Sequence, residues 1–336
     1  MSTSRSGSAP GAGGAEGANA IVTGAAVLCR APQRGGTLNP EQLELLHAVE
    51  PTVERLTAEH RERRESWYAH EYVPWEKGRN FVAEPWDESQ ATLSPEVRTS
   101  LVLNLLTEDN LPYYHAEIAD RLPTGGAYAE WANLWTAEEG QHSIALRSYL
   151  LTSRNCDPVG LEEDRMATME AGHLSGYEDP AALFIYTSAQ ELATRVSHRN
   201  AGRLADDETA YALMGRIATD ENHHFMFYRG VAAEMLEQSA ETMLEPLYRV
   251  FNNFKMPGTV IPGFLQRAVD MAKVGVYNLR IHHDRVIEPL LRDWKIEHLT
   301  GLSASAREMQ EKILELPARV LRAAEIFERR AARTAT

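Results

Sequence analysis

Twice along this chain a lone glutamate is followed about thirty residues later by a Glu-x-x-His pair. Glu108 precedes Glu139 and His142; Glu191 precedes Glu221 and His224. Residues three apart on a helix share a face. Thirty residues spans roughly one helix, a turn and the return of an antiparallel helix at ~1.5 Å per residue. Two such hairpins packed face to face make a four-helix bundle with six metal-binding side chains pointing inward.

Glu-x-x-His alone is a weak signal, since it also occurs at Glu44/His47 and Glu170/His173. Context separates the four copies. Around Glu139 one helical face reads Trp131, Trp135, Glu139, His142, Leu146 and Tyr149. Around Glu221 it reads Met214, Ile217, Glu221, His224, Tyr228 and Val231. Both acids and both imidazoles therefore fall on stripes that face a core. Glu191 lies on a face with Phe184, Thr187, Thr194 and His198, and Glu108 follows Leu101 and Leu105. A buried carboxylate without a partner costs several kcal/mol or stays protonated, and a divalent metal removes that conflict. Glu44/His47 has no upstream helix to add a ligand, and Glu170/His173 adjoins Gly172 and Gly176 at a helix end; both read as structural.

Four carboxylates and two imidazoles suit two adjacent iron ions, with two carboxylates bridging, although manganese or zinc accepts the same donors. Such a pair, once reduced, supports binding and cleavage of dioxygen. Thr194, one turn from Glu191, either back-bonds to its own helix or handles protons beside the metals. Asp220, just before Glu221, is either an outer partner for a ligand histidine or a solvated surface acid. Pro112 stands four residues after Glu108 and predicts a kink beside the metals.

The rest of the chain reads as helices, opening near Pro40, Pro95, Ala127, Pro180, Asp207, Glu237, Pro262, Asp284 and Ser303. The stretch from Val73 to Thr92, with Pro74, Gly78 and Pro85, reads as an irregular connection. Residues 1–38, rich in Gly, Ala and Ser, read as a disordered tail, or alternatively a transit peptide; residues 39–336 read as one domain. Hydrophobic residues make up 43% of the chain, enough for a large core. A net charge of −14 argues against a nucleic-acid surface. No apolar run approaches the ~20 residues of a membrane helix. Two distant cysteines, Cys29 and Cys156, fit a reducing cytoplasm rather than a disulfide framework.

The segments TEDNLP (Thr107 to Pro112), WTAEEGQH (Trp135 to His142), SAQELATRVSHRN (Ser188 to Asn200) and DENHH (Asp220 to His224) resemble the soluble acyl-acyl-carrier-protein desaturases, the plant stearoyl enzymes and their actinobacterial relatives. GVYNLRIH (Gly275 to His282) and RDWKIEHLTGLS (Arg292 to Ser303) extend the likeness, which covers roughly Pro40 to Glu328. The resemblance implies an all-α, ferritin-like four-helix bundle with flanking helices, assembled as a homodimer and holding two irons per chain. It implies electrons from ferredoxin and an acyl chain delivered on acyl carrier protein into an apolar channel. By position, Glu108, Glu139 and His142 match the ligands of one iron and Glu191, Glu221 and His224 those of the other. Glu139 and Glu221 match the bridging pair, and Thr194 the active-site threonine.

The sequence departs from the family where Gly140 and Gln141 separate Glu139 from His142, and where His223 precedes His224. The region around Lys77-Gly78-Arg79 aligns poorly, so no electron-entry residue is transferred. Because acyl carrier protein is acidic, docking needs a local basic patch; Arg61, Arg63 and Arg64 form one candidate, and Lys273, Arg280, Arg292 and Lys295 another. Rival activities on the same site are hydroxylation of a specialised substrate and iron oxidation for storage. A membrane desaturase is disfavoured by the absence of both membrane helices and histidine boxes.

Overall fold

Asn-Pro, Ser-Pro and Asp-Pro steps punctuate this chain, and the structure uses them as helix starts. In the computed structural model, which describes residues 38–334, α1 (Pro40–Arg63) opens on Asn39, whose side chain accepts from the Gln42 N–H while the Gln42 side chain returns a bond to the Asn39 N–H. Ser94 caps α2 (Pro95–Glu108). Asp157 and Asp179 do the same for α5 (Pro158–Ala171) and α6 (Pro180–Leu204). A proline at the first helical position loses nothing there, because its N–H would have no partner anyway. Between these lie α3 (Leu111–Arg121) and α4 (Gly126–Thr152). They are followed by α7 (Glu208–Gln238), α8 (Ala240–Asn253) and α9 (Phe264–Lys273). Last come α10 (Leu279–His282), a π-helical turn (His283–Ile287) that runs straight into α11 (Glu288–Asp293), and α12 (Ala304–Thr334). No strand occurs among the described residues, and none of their helices is long and apolar enough to cross a membrane. The expected tail, through residue 37, lies outside the described residues.

The four central helices are α2, α4, α6 and α7, as the doubled motif requires. Two expectations need correction. The helix that carries Glu108 does not kink at Pro112; it ends at Glu108, and α3 restarts at Leu111 with the proline in its first turn. Pro112 has no N–H to donate to the Glu108 carbonyl, so ending the helix costs less than bending it. The sequence also marks the end of α5, near Gly172, without its start being read, although Asp157-Pro158 is the same kind of start signal that opens α2 and α6.

The interior is apolar at both ends and polar in the middle. One cluster gathers Trp131 and Trp135 of α4, Leu183 to Ala193 of α6, and Phe225 to Leu236 of α7. The other gathers Leu101, Leu105 and Leu106 of α2, Ala145, Leu146 and Tyr149 of α4, and Leu213, Met214 and Ile217 of α7. Glu139, His142, Glu221 and His224 sit at the junction. Along one flank, the connection between α1 and α2 is fastened by Arg154, which is 1% exposed. Its Nε donates to Gln90 Oε1 at 2.8 Å and its guanidinium lies over Phe81.

Burial also fixes the charge of one histidine far from the bundle centre. His282 is packed against Phe254 and its Nδ1 pairs with the Tyr277 hydroxyl at 2.8 Å. Burial, helped by neighbouring His283, lowers its pKa from 6.5 to about 4. The folded state therefore keeps His282 neutral where the unfolded chain protonates it. Its contribution is intact above pH 6.5 and is lost as pH falls towards 4. Between pH 7 and pH 4 the wild type should lose about 3 kcal/mol more stability than His282→Gln. Urea unfolding at both pH values measures this, and equal losses would show that His282 is not held neutral.

Candidate metal centre

The lone glutamates and the Glu-x-x-His pairs meet. Glu108 leaves the last turn of α2, Glu139 and His142 share the inner face of α4, Glu191 comes from the middle of α6, and Glu221 and His224 share the inner face of α7. All six are buried, none more than 6% exposed. Their donor atoms fall into two groups able to hold an ion: Glu108, Glu139, His142 and Glu221, and then Glu139, Glu191, Glu221 and His224. Glu139 and Glu221 belong to both. His142 Nδ1 is 3.2 Å from Glu139 Oε2 and 3.6 Å from oxygens of Glu108 and Glu221. His224 Nδ1 is 2.8 Å from Glu139 Oε1 and 3.7 Å from Glu191 Oε2.

These atoms are close without being satisfied. The Nδ1 atoms of His142 and His224, with Glu139 Oε1 and Glu191 Oε2, are buried and lack any partner in hydrogen-bonding geometry. Buried polar atoms are rarely left so. Both imidazoles aim their unpaired nitrogen at the carboxylates, as ligands of a shared ion would. The donor set, mostly carboxylate oxygen with imidazole nitrogen, suits a pair of first-row divalent metals.

Electrostatics carry the same strain. Burial, then the charge of Glu221, raises the pKa of Glu191 well above the carboxylate range and also raises that of Glu139. Glu108 goes the other way: burial pushes it up, but the nearby imidazoles of His142 and His198 outweigh this and hold it low. Burial lowers the pKa of both His142 and His224, yet the surrounding carboxylates win and raise them well above 6.5. Divalent ions can replace those protons as the positive charge.

The outer nitrogens are fastened. His142 Nε2 faces Asp220 Oδ2 at 3.5 Å, and Asp220 in turn accepts from Trp67 Nε1 at 2.6 Å and pairs with Arg216. Burial raises the Asp220 pKa, but the bond to His142 lowers it further, to about 2. Asp220 is thus a buried partner of a candidate ligand rather than a solvated acid. His224 Nε2 pairs with Glu138 Oε2 at 2.9 Å, and Glu138 is also held by His60 and Arg64. Such outer partners fix the tautomer and ring orientation of metal-bound imidazoles. Thr194 back-bonds to its own helix, its hydroxyl lying within reach of the Gln190 and Glu191 carbonyls, and the same hydroxyl is 2.8 Å from Glu221 Oε2.

Glu138, His60 and His198 received no role from the sequence. For Glu138 a signal existed. The two convergent motifs read acid-Glu-x-x-His, as Glu138-Glu139 and Asp220-Glu221, whereas Leu43 precedes Glu44 and Met169 precedes Glu170. The extra acid separates real from coincidental copies. His198 Nε2 lies 3.1 Å from Glu108 Oε1. His60 arrives from α1, and no local pattern announces it. Glu44 and His47 are exposed, and Glu170 precedes the end of α5, as expected.

Beside the centre lies a cavity lined by Tyr114, Trp135, Leu183, Tyr186 and Thr187. Trp135 Nε1 donates to Glu191 Oε1 at 3.1 Å, so one wall of the cavity is also a wall of the centre. Its boundary includes Glu117, which is 5% exposed and bound by the Ser175 hydroxyl and the Ser175 and Gly176 N–H groups.

The model for the family described as fatty acid desaturase matches residues 41–336. A protein of Mycobacterium tuberculosis H37Rv named as an acyl-[acyl-carrier-protein] desaturase, DesA1, is 41% identical over 280 residues, covering 79% of this chain and 83% of that one. The chloroplastic stearoyl-[acyl-carrier-protein] 9-desaturase 3 of Arabidopsis thaliana is 30% identical over 309 residues, covering 85% and 77%. The X-ray structure of DesA2 from M. tuberculosis H37Rv superposes with a TM-score of 0.64 at 23% identity, covering 79% of this chain and 99% of that one, a likeness of fold.

Gly140, between Glu139 and His142, has nothing within 4 Å of where a Cβ would lie. Gly140→Ala should therefore stabilise α4 by about 1 kcal/mol without altering metal content. Denaturant midpoints with elemental analysis test this; a loss of metal would show that the glycine serves the site.

Proposed function

This chain belongs to the fatty acid desaturase family, and we propose that it desaturates an acyl chain carried on acyl carrier protein, at a di-iron centre. The observation that carries this reading is the pair of buried donor groups sharing Glu139 and Glu221 beside a largely apolar cavity. Glu108 and His142 would serve one ion, Glu191 and His224 the other, and Glu139 and Glu221 would serve both. Iron is favoured over manganese or zinc because the family's chemistry is redox. When bound, the ions supply reduction of dioxygen coupled to removal of two hydrogens from adjacent methylenes. The balance is one saturated chain, O2, two electrons and two protons in, and one cis double bond and two waters out. The electrons come from a ferredoxin-type donor, and the active form is a homodimer acting in the cytoplasm.

The residues of the chain position and insulate. Asp220 and Glu138 hold the two imidazoles by their outer nitrogens. Thr194 places a hydroxyl proton at Glu221 Oε2. Trp135 fixes Glu191 and, with Leu183 and Tyr186, presents an apolar wall to the cavity. Glu117, fastened by three bonds, puts a carboxylate on the boundary, which an apolar chain terminus cannot displace.

Incubation with reduced ferredoxin, oxygen and a panel of acyl-carrier-protein thioesters, followed by mass spectrometry, should reveal a product two hydrogens lighter. A hydroxylated product would replace this reading with an oxygenase, and no change across the panel with iron fully loaded would sink both. The sharing of Glu139 and Glu221 makes a separate prediction. Glu221→Ala should drop bound iron from about two per chain to well below one, while Glu108→Ala keeps about one. Equal losses in elemental analysis would contradict the bridging assignment.

A further inference from the structure

The two imidazoles of the centre are held from outside by acids, but the two sides differ in what surrounds those acids. On the His142 side, Asp220 is fastened by Trp67 and Arg216, and none of the three is more than 9% exposed. Neither an indole nor a guanidinium binds metal ions. On the His224 side, the Glu138 side chain is 15% exposed and its neighbours are His60 and Arg64. His60, Glu138 and His224 bring donor atoms within 4.8 Å of one another. This is a third group able to hold an ion, and it lies on the outer side of His224. One flank of the centre is therefore sealed, and the other reaches water through side chains that are themselves metal donors.

Outside that group lies a cleft of about 330 Å³ between α1 and α7, lined by His60 and His223 among others. His60 Nε2 faces Glu138 at 2.9 Å, so in the neutral ring the lone pair sits on Nδ1. That nitrogen is buried without a partner, and so is Nδ1 of His223. The two rings meet edge to face with centroids 5.9 Å apart. Two imidazoles on one tetrahedral ion would stand roughly 5 Å apart, so a small rotation of either ring suffices. Lone pairs suit a cation and reject an anion. Arg55, Arg63 and Arg229 also line the cleft, but Arg55 and Arg63 share Glu59, and Arg229 pairs with Asp293. Their charge is largely answered, while the −14 of the whole chain draws cations in at longer range.

We infer that His60 and His223 capture a divalent metal ion in this cleft, and that Glu138 passes it inward to the centre. His224 serves both stages, because its Nε2 belongs to the outer group and its Nδ1 to the inner one. Holding an ion at the outer group costs the Nε2–H bonds of His60 and His224 to Glu138 and the pairing of Glu138 with Arg64. The displaced protons leave to the cleft water. Those contacts re-form once the ion has moved inward, so the outer group is a stage on the path and not a resting place. The same bonds that orient His224 then close the path behind the ion.

This inference rests on the reading of the six donors as a metal centre, and is independent of the substrate. The test follows Fe2+ into the full-length, iron-depleted protein without oxygen near neutral pH, then follows its release to excess ferrous chelator. His60→Gln keeps a donor for Glu138 but removes the imidazole from the cleft. His223→Ala removes a ring that makes no bond within the centre. Each should slow uptake by roughly tenfold. Each should slow release by the same factor and leave the final iron content unchanged. Equal slowing in both directions marks a residue on the path, since it alters the barrier and not the end states. Faster release with unchanged uptake would mark a support of the finished centre and overturn the proposal, as would unchanged rates in both variants. Arg199→Gln, in the separate cleft between α6 and α7, should leave both rates as in the wild type. Slowing there to the same degree would also overturn it. A wild type that takes up no iron would refute the metal-centre reading itself, whereas full loading at unaltered rates in the variants would refute the route alone.

Discussion

Six ionisable side chains enclosed between two apolar clusters are the constraint on which the rest of this structure depends. They are almost wholly withdrawn from water, so most of their charge must be answered from within the bundle. The protein answers part of the demand itself. His142 and His224 are drawn towards the protonated form by the carboxylates, and His198 supports Glu108. The remainder is visible as nitrogens and oxygens turned towards one another without hydrogen-bonding geometry. A site that left such atoms unpaired with no ion to receive them would destabilise the bundle at its centre, where four helices have to meet.

The flanking elements follow from that need. Helix α1 is amphipathic and could have covered any apolar surface, yet its last turn places His60 and Arg64 on Glu138. The irregular chain after α1 brings Trp67 to Asp220. That chain is in turn fastened by Arg154, a buried arginine in the left-handed backbone region at φ +58° whose bonds go to Gln90 and the Glu84 carbonyl. An irregular connection, broken only by short 3-10 turns, is thus fastened to the bundle while one of its indole N–H groups reaches a buried carboxylate.

How much of this the sequence discloses depends on whether the information is local. The candidate ligands are legible because helical periodicity turns spacing into direction: residues three apart on a core stripe must point inward together. Helix starts are legible for the same reason, as Ser94-Pro95 and Asp179-Pro180 act on their own first turn. Pro112 was locally readable as a disruption but not as a break, because ending a helix or bending it is decided by what packs on either side. His60 meets Glu138 across 78 residues of chain, and no spacing rule reaches that far. The pairing of the arginine clusters is hidden for a related reason. Proximity in sequence shows where cations are, while the partners that neutralise Arg61 or Arg280 come from Glu130 and Glu328.

The doubled motif also explains why an acid precedes each shared glutamate. Consecutive residues on a helix diverge by about 100°, so Glu138 and Glu139 cannot both face the centre. Instead they take His224 from either side: Glu139 Oε1 lies 2.8 Å from its Nδ1 and Glu138 Oε2 lies 2.9 Å from its Nε2. Asp220 and Glu221 take His142 in the same way, at 3.5 Å from Nε2 and 3.6 Å from Nδ1. Each of α4 and α7 therefore clasps the other's histidine between two neighbouring acids. The clasp is reciprocal, and it ties α4 to α7 at the same level as the packing of Trp131 on Phe227. A metal arriving between them meets imidazoles whose outer nitrogens are already occupied and whose inner nitrogens have no other orientation to adopt. Pre-organisation of this kind removes a reorganisation cost from metal binding and from each change of charge at the centre. It also accounts for the weakness of Glu-x-x-His as a signature, since without the preceding acid the motif supplies a ligand pair but nothing to hold the facing histidine.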